Sequence, residues 1–231
     1  MPLRLESRPV GDVLIIQCQG RIVAGKEVNT LHYSIQDAIV RYGDIVLHLE
    51  QVEFVDSSGL GALMRLMQAA RAKGGDLKLS GVPPAIRKIL EVTNLVSQFE
   101  VYDSVGEAIT AAYLGSRYSR GKAGDARPPI LCVYDSTDVC TFLREVLCGA
   151  GYNALTVLGM SDALILLKAT KAKLVVIAAQ IAEAQSIHGR SASKLVEEVD
   201  PAASLLILDE NFATQDPGEA AEKLLRLVAS H

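Results

Sequence analysis

Residues 54–67 read FVDSSGLGALMRLM and hold one carboxylate, two hydroxyls and two glycines at the mouth of an apolar pattern with helical spacing. Three kinds of chemistry compete for Asp56, Ser57 and Ser58. The first is helix capping, since Asp and Ser oxygens accept bonds from the orphan N–H groups of a first turn. Capping accounts for one of the three residues, but hardly for all three followed by Gly59, where a missing side chain lets another backbone or molecule approach closely. The second is a nucleotide-binding turn through Gly59-Leu60-Gly61. The third is a serine that another protein phosphorylates. An exposed serine there would set its phosphate against free N–H groups and the positive end of the helix dipole. The modification adds about 1.5 to 2 negative charges, enough to repel or recruit a partner. Asp56 beside it would make that face more acidic still.

The nucleotide reading fails in detail. The third glycine of a dinucleotide fingerprint would fall at Met64, and no acid sits suitably about 20 residues further on. A phosphate-binding Walker loop needs a lysine that is absent. The GxSxG elbow of hydrolases does not fit either, because Gly59 follows Ser58 directly. A triad would draw on His32, His48, His188 or His231, and nothing marks any of them. His48 sits inside the strand-like IVLHLE, where a hydrogen-bonded structural histidine is expected. No catalytic set, cofactor site or metal site is legible, so the chain is expected not to be an enzyme.

The elements that must position these residues alternate along the chain. VLIIQCQG (13–20) reads as a buried strand after a short first strand near LRLES. A helix follows with Val28, Leu31, Ile35, Ala38 and Ile39 on one face, ended by Gly43. DIVLHLE (44–50) is a strand. After the motif, Leu60, Leu63, Met64 and Met67 share a helical face, and Gly74-Gly75 stop it. DLKLSG is a further strand, Pro83-Pro84 fits a helix start, and QFEVY and a helix from about 104 to 114 complete a first unit. Residues 115–129, GSRYSRGKAGDARPP, have no apolar period and read as a linker carrying Arg117, Arg120, Lys122 and Arg127. Beyond it ILCVY is a strand. A helix with Val139, Phe142, Leu143, Val146, Leu147 and Ala150 on one stripe is capped by Ser136 or Thr137. ALTVL, a helix capped at Ser161, the continuous apolar LVVIAA, the strand-like SLLILDE and a closing helix follow. That alternation predicts a parallel sheet flanked by helices. The domains are expected at 1–116 and 129–231, with a linker at 117–128.

Composition narrows the function. A chain of 231 residues with 49% hydrophobic and 22% charged residues is folded protein of two-domain size. A net charge of −4, no tryptophan and 5% aromatics leave no basis for general attraction to nucleic acid or anionic membrane. The N-terminus has no signal-peptide pattern and no run reaches a membrane span. A cytoplasmic, bacterial location is expected. Cys18, Cys132, Cys140 and Cys148 show no CxxC spacing, and Cys140 and Cys148 fall roughly on one helical face; reduced, buried thiols are expected.

FVDSSGLGALMRLMQAARAKGGDLKLSGVPPAIRKILEVTNL, with the earlier Gly20-Arg21-Ile22, resembles the STAS domain of bacterial anti-sigma-factor antagonists over about residues 3–114. The resemblance implies a mixed sheet with helices. It implies phosphorylation of the serine directly after the aspartate, Ser57, with Ser58 as the alternative, by a partner that is both anti-sigma factor and serine/threonine kinase. A separate serine phosphatase would reset the switch. Asp56, Ser57, Ser58, Gly59, Leu60 and Gly61 would form the partner-binding surface. A STAS subunit of another signalling or lipid-transport assembly, or a nucleotide-binding protein, stays open as an alternative.

Residues 129–231 resemble a response-regulator receiver domain, which implies a flavodoxin-like parallel sheet with helices on both faces. Receivers pair acids after strand one to hold Mg²⁺, place a phosphoacceptor aspartate after strand three, and keep a hydroxyl and a lysine nearby. Here Tyr134 stands at the first acid and only Asp135 remains. Ala178 stands at the acceptor, Asp209 stands where a hydroxyl belongs, and no strand-five lysine is evident. A hard cation wants several oxygen ligands. A degenerate receiver used for docking or for self-association through a helical face is therefore expected.

Overall fold

In a computed structural model, residues 1–114, 128–183 and 190–231 are described. The chain divides into two compact units, Met1–Arg120 and Gly121–His231. The linker expected at 117–128 lies, apart from Pro128, outside the described residues, as does His188.

The first unit is built on a five-stranded sheet of order β1-β2-β3-β4-β5. Strands β1 (Arg4–Val10) and β2 (Val13–Ile22) form an antiparallel hairpin, turned at Gly11 and Asp12 with Gly11 at φ 60°. Strands β3 (Asp44–Val55), β4 (Leu77–Ser80) and β5 (Val101–Tyr102) then add in parallel. Helices α1 (Lys26–Arg41), α2 (Ser57–Ala72) and α3 (Pro84–Val92) cover one face. There Leu14, Ile16 and Cys18 of β2, Ile45, Leu47 and Leu49 of β3, and Leu77 and Leu79 of β4 share a core with Leu31, Ile35, Leu63, Met67 and Ile86. Strand alternation sends Val13, Ile15 and Val46 to the opposite face, where α4 (Val105–Ala112) packs across β2 to β5. Just past α4, the Tyr113 hydroxyl accepts from the Asp12 amide at 2.7 Å and donates to the Val10 carbonyl at 3.2 Å, tying that end of the chain to the first hairpin.

One boundary differs from the sequence expectation and matters for the site. Strand β3 does not stop at Glu50 but runs on to Val55, so the Asp-Ser-Ser motif follows a strand end directly. Beyond Leu49 only Val52 and Val55 are buried, which breaks the two-residue alternation a sequence reader looks for. The cause lies in β3 itself, which carries one extra residue against β2 at two points, between His48 and Gln51 and between Val52 and Phe54. Pairing of β2 with β3 shifts register between Gln17 and Gln19 and again between Gly20 and Arg21, and bulges of this kind re-aim side chains while the strand continues.

The second unit holds an all-parallel sheet of order β7-β6-β8-β9. Its strands are β6 (Ile130–Val133), β7 (Ala154–Val157), β8 (Leu174–Ala178) and β9 (Ser204–Leu208). Helices α5 (Thr137–Gly149) and α9 (Pro217–Ala229) pack on one face, with Leu143, Leu147, Leu224 and Val228 against Cys132, Val176, Leu206 and Leu208. Helices α6 (Met160–Thr170), α7 (Ala179–Glu183) and α8 (Ala192–Val199) complete the unit, and α6 packs against both β6 and α8. Ser136 caps α5 as expected. Ser161 does not cap α6: Gly159, in extended conformation, takes that position, and Ser161 lies within the first turn. Cys140 is buried but Cys148 is exposed, as is Ala150. Eight residues overshoot two helical turns by about 80°, enough to carry Cys148 off the buried stripe. None of the described helices is long and apolar enough to cross a membrane.

Candidate functional site

Asp56 is the N-cap of α2 and holds more than its own helix. Its backbone is extended, and its Oδ1 accepts from the Gly59 amide at 2.7 Å. Its Oδ2 accepts from the Ala24 amide at 2.9 Å, and its own amide donates to the Ile22 carbonyl at 3.2 Å. The carboxylate therefore locks the mouth of α2 to the loop between β2 and α1. These bonds hold the Asp56 carboxyl below the ordinary carboxylate range, the Ala24 amide contributing most, the Gly59 amide next, and Arg21 adding a weaker attraction. Hydrogen bonds to the charged form act in this direction.

Ser57 and Ser58 are the first two residues of α2 and both are exposed. The first turn of this helix carries no acidic residue to offset the positive end of its dipole beyond the cap itself. The two serines thus present hydroxyls in a first turn without acids, beside a capping carboxylate held by backbone amides.

Gly59 and Leu60 turn inward and are buried. A Cβ on Gly59 would sit 2.3 Å from the Ile22 carbonyl oxygen and 2.9 Å from Val55 Cγ1. The close approach that glycine permits is that of the chain's own strand β2. Gly61 is half-buried, and a Cβ there would meet only the end of Arg65 at 3.3 Å. Of the six residues expected at the partner surface, Ser57 and Ser58 present the surface while Asp56, Gly59 and Leu60 position it. Leu60 joins Leu63, Leu66 and Met67 in the core, and each such side chain contributes about 1.5–3 kcal/mol when fully buried.

Arg21, Phe54 and Ala24 were not singled out as site residues from sequence. The Arg21 guanidinium lies 5.3 Å from the centre of the Phe54 ring, which is 43% exposed. A cation over an exposed ring, with Arg21 also attracting the Asp56 carboxylate, forms a surface of mixed character. The only sequence signal for it was the presence of Arg21 in the Gly-Arg-Ile triplet. Ala24 gave no signal at all, because its contribution is a backbone amide.

The histidines have other work. His48 is bonded to Ser80 through Nδ1 at 3.2 Å and to Glu50 through Nε2 at 3.1 Å. His32 lies against the Tyr33 ring, and His231 against the Leu227 carbonyl. Among the described residues no histidine is bonded to Ser57 or Ser58.

In the second unit, the carboxyl ends of the strands carry the expected substitutions. Tyr134 follows β6 and is buried, while Asp135 is exposed and accepts from the Gln180 amide at 3.4 Å. Ala178 closes β8 and is fully buried. Asp209 follows β9, accepts from Gln215 at 3.2 Å and pairs with Lys223 of α9. That lysine, on a helix rather than a fifth strand, was not anticipated. Asp135 and Asp209 are each engaged with a different side chain. Among the described residues no three His, Cys, Asp or Glu side chains are grouped to hold a metal ion.

A mixed five-stranded sheet with three helices on one face, a fourth on the other, and an Asp-capped helix opening on two serines is the architecture of a STAS domain. Residues 4–108 match the family described as "STAS domain", and the chain belongs to that family. It is 29% identical over 112 residues to an anti-sigma F factor antagonist of Paenibacillus polymyxa, covering 48% of this chain and 95% of the relative. It is 32% identical over 95 residues to a STAS-domain containing protein of Pseudomonas aeruginosa, covering 39% of this chain and 89% of that one. A solved structure of the Bacillus cell fate determinant SpoIIAA in its phosphorylated form aligns at 25% identity and a TM-score of 0.39, covering 46% of this chain and 96% of that one.

Proposed function

We propose that this protein is an anti-sigma-factor antagonist, a non-enzymatic binding switch set by phosphorylation of Ser57. The observation that carries the reading is the placement of Ser57. It is exposed, it is the first residue of α2, and it adjoins an aspartate whose two carboxylate oxygens are both committed to backbone amides. In the unmodified state the helix mouth offers neutral hydroxyls and the apolar-cationic pair Phe54 and Arg21, and a partner surface docks there. The partner is an anti-sigma factor that is also a serine kinase. Phosphate on Ser57 would satisfy first-turn amides and the helix dipole. It would also add a dianion beside a carboxylate that cannot rotate away without giving up the Ala24 and Gly59 bonds. Docking that tolerated one fixed charge then meets three, and like-charge repulsion with desolvation ejects the partner. A serine phosphatase reverses the state. The anti-sigma F factor antagonist among the relatives supports the general role.

Incubation with the cognate kinase and ATP tests this. Mass spectrometry should place one phosphate on Ser57. Ser57→Ala should block it and keep partner binding, whereas Ser57→Asp should weaken binding. A phosphate on Ser58 or elsewhere, with Ser57 unmodified, overturns the assignment.

A further inference from the structure

Among the described residues of the second unit, the large hydrophobic side chains left exposed are Val199 and Ile207, at 37% and 53%. Ile207 lies on β9, and Val199 is at the end of the helix that leads into it. Strand β9 pairs only with β8 among the described residues, so it is an edge of its sheet. An edge strand is a template for another strand, and proteins blunt such edges with charge, proline, bulges or short length. The other edges here are blunted. Strand β1 carries Arg4, Glu6, Arg8 and Pro9, and β5 is two residues long. Strand β7 is four residues long, with Ala154, Leu155 and Val157 buried. By contrast β9 reads SLLIL, with no charge, no proline and an unbroken register against β8.

We propose that β9 pairs antiparallel with β9 of a second copy of this chain, joining two four-stranded sheets into one. The strand's own sequence selects that occupant. In a two-fold antiparallel pair, residues directly opposite share a face of the sheet. With the axis at Leu206, Leu205 faces the partner's Ile207 and Ser204 faces the partner's Leu208. Asp209 and Glu210 then lie opposite the partner's Ala203 and the partner's Ala202, so no acid opposes an acid. Moving the axis to Ile207 sets Leu205 against the partner's Asp209. Moving it to Leu205 leaves Ile207 facing only the partner's Ala203. One register therefore covers both half-open leucine and isoleucine positions and strands no charge. The interface is a strand edge, not the helical face expected from the receiver resemblance. Its small area predicts weak, concentration-dependent pairing in the micromolar range.

Sedimentation of the full chain from about 5 to 200 µM should show a monomer–dimer equilibrium. Ile207→Glu should raise the dissociation constant at least about tenfold. Val40→Glu, at a valine of α1 that is 78% exposed, should leave it unchanged. A second readout does not depend on the charge variant folding. Leu205→Cys with Ile207→Cys, in a Cys148→Ser background, should give an oxidised dimer whose disulfides join position 205 of one copy to position 207 of the other. A chain that stays monomeric throughout, a dimer untouched by Ile207→Glu, or a cross-link mapping to other positions overturns the pairing. Phosphorylation of Ser57 should be the same in Ile207→Glu, which keeps this test separate from that of the switch.

Discussion

Alanine at Gly59 and alanine at Gly61 are expected to move stability in opposite directions, although the two glycines lie two residues apart in one helix. At either site alanine gains about 0.5–1 kcal/mol from backbone entropy and helix propensity. At Gly61 little opposes that gain, because the nearest atom is the flexible end of Arg65. At Gly59 the new Cβ would stand 2.3 Å from the Ile22 carbonyl oxygen, a backbone atom held inside the sheet by β2. Restoring ordinary contact requires α2 to lift by about 1 Å, and overpacking of this kind costs about 1–3 kcal/mol. The net loss at Gly59 is then on the order of 1 kcal/mol, and at most about 2.5 kcal/mol. With a urea slope of about 1–2 kcal/mol/M, the first unit's midpoint falls by about 1 M in Gly59→Ala and rises by about 0.5 M in Gly61→Ala. Urea titration of the full chain, read by circular dichroism with the two units resolved as separate transitions, measures both. The lift should also loosen the Asp56 cap, so Gly59→Ala should slow phosphorylation of Ser57 while Gly61→Ala does not. Equal shifts of the same sign would refute the account of how α2 seats on β2.

Asp56→Asn should remove an acid sensitivity. The folded carboxyl is held below its ordinary value of 3.8, so its contribution is present above that pH and is lost as pH falls through the folded value. The stability gap between wild type and Asp56→Asn should hold from pH 7 to about pH 4 and shrink below that; a gap that stays constant on further acidification would contradict the hydrogen-bonded cap. Of the four cysteines, only Cys148 is exposed. A thiol reagent at neutral pH should label Cys148 quickly and the rest only on denaturation, since burial pushes Cys18 up to about 12 and Cys140 up to about 11. Rapid labelling of a second thiol would show that a core opens. Acetyl phosphate with Mg²⁺ should leave the second unit unmodified, because Ala178 stands where a phosphoacceptor would; a phosphate recovered from residues 129–231 would refute that.

Local pattern was enough for much of this molecule. Apolar residues spaced for a helix marked the buried faces of α1 and α2, and the continuous run LVVIA marked β8 as a strand covered on both sides. Asp56 announced a cap, and Asp-Ser-Ser-Gly announced a helix mouth with two exposed hydroxyls. Each of these depends on residues within a few positions of one another, where side-chain chemistry and backbone periodicity suffice. What the tertiary structure decided depends on residues far apart. The burial pattern of β3 as far as Val55 follows from its pairing with β2, against which His48–Gln51 and Val52–Phe54 each carry one extra residue. The second bond of Asp56 goes to Ala24, 32 positions away, and uses an amide that every residue but proline possesses. The need for Gly59 is set by the Ile22 carbonyl, and the exposure of Ile207 by the end of a sheet whose strands come from four separate segments. Close approach, register and edges are properties of two segments meeting. One segment's sequence is compatible with many such meetings, and the packing of the whole chain selects one.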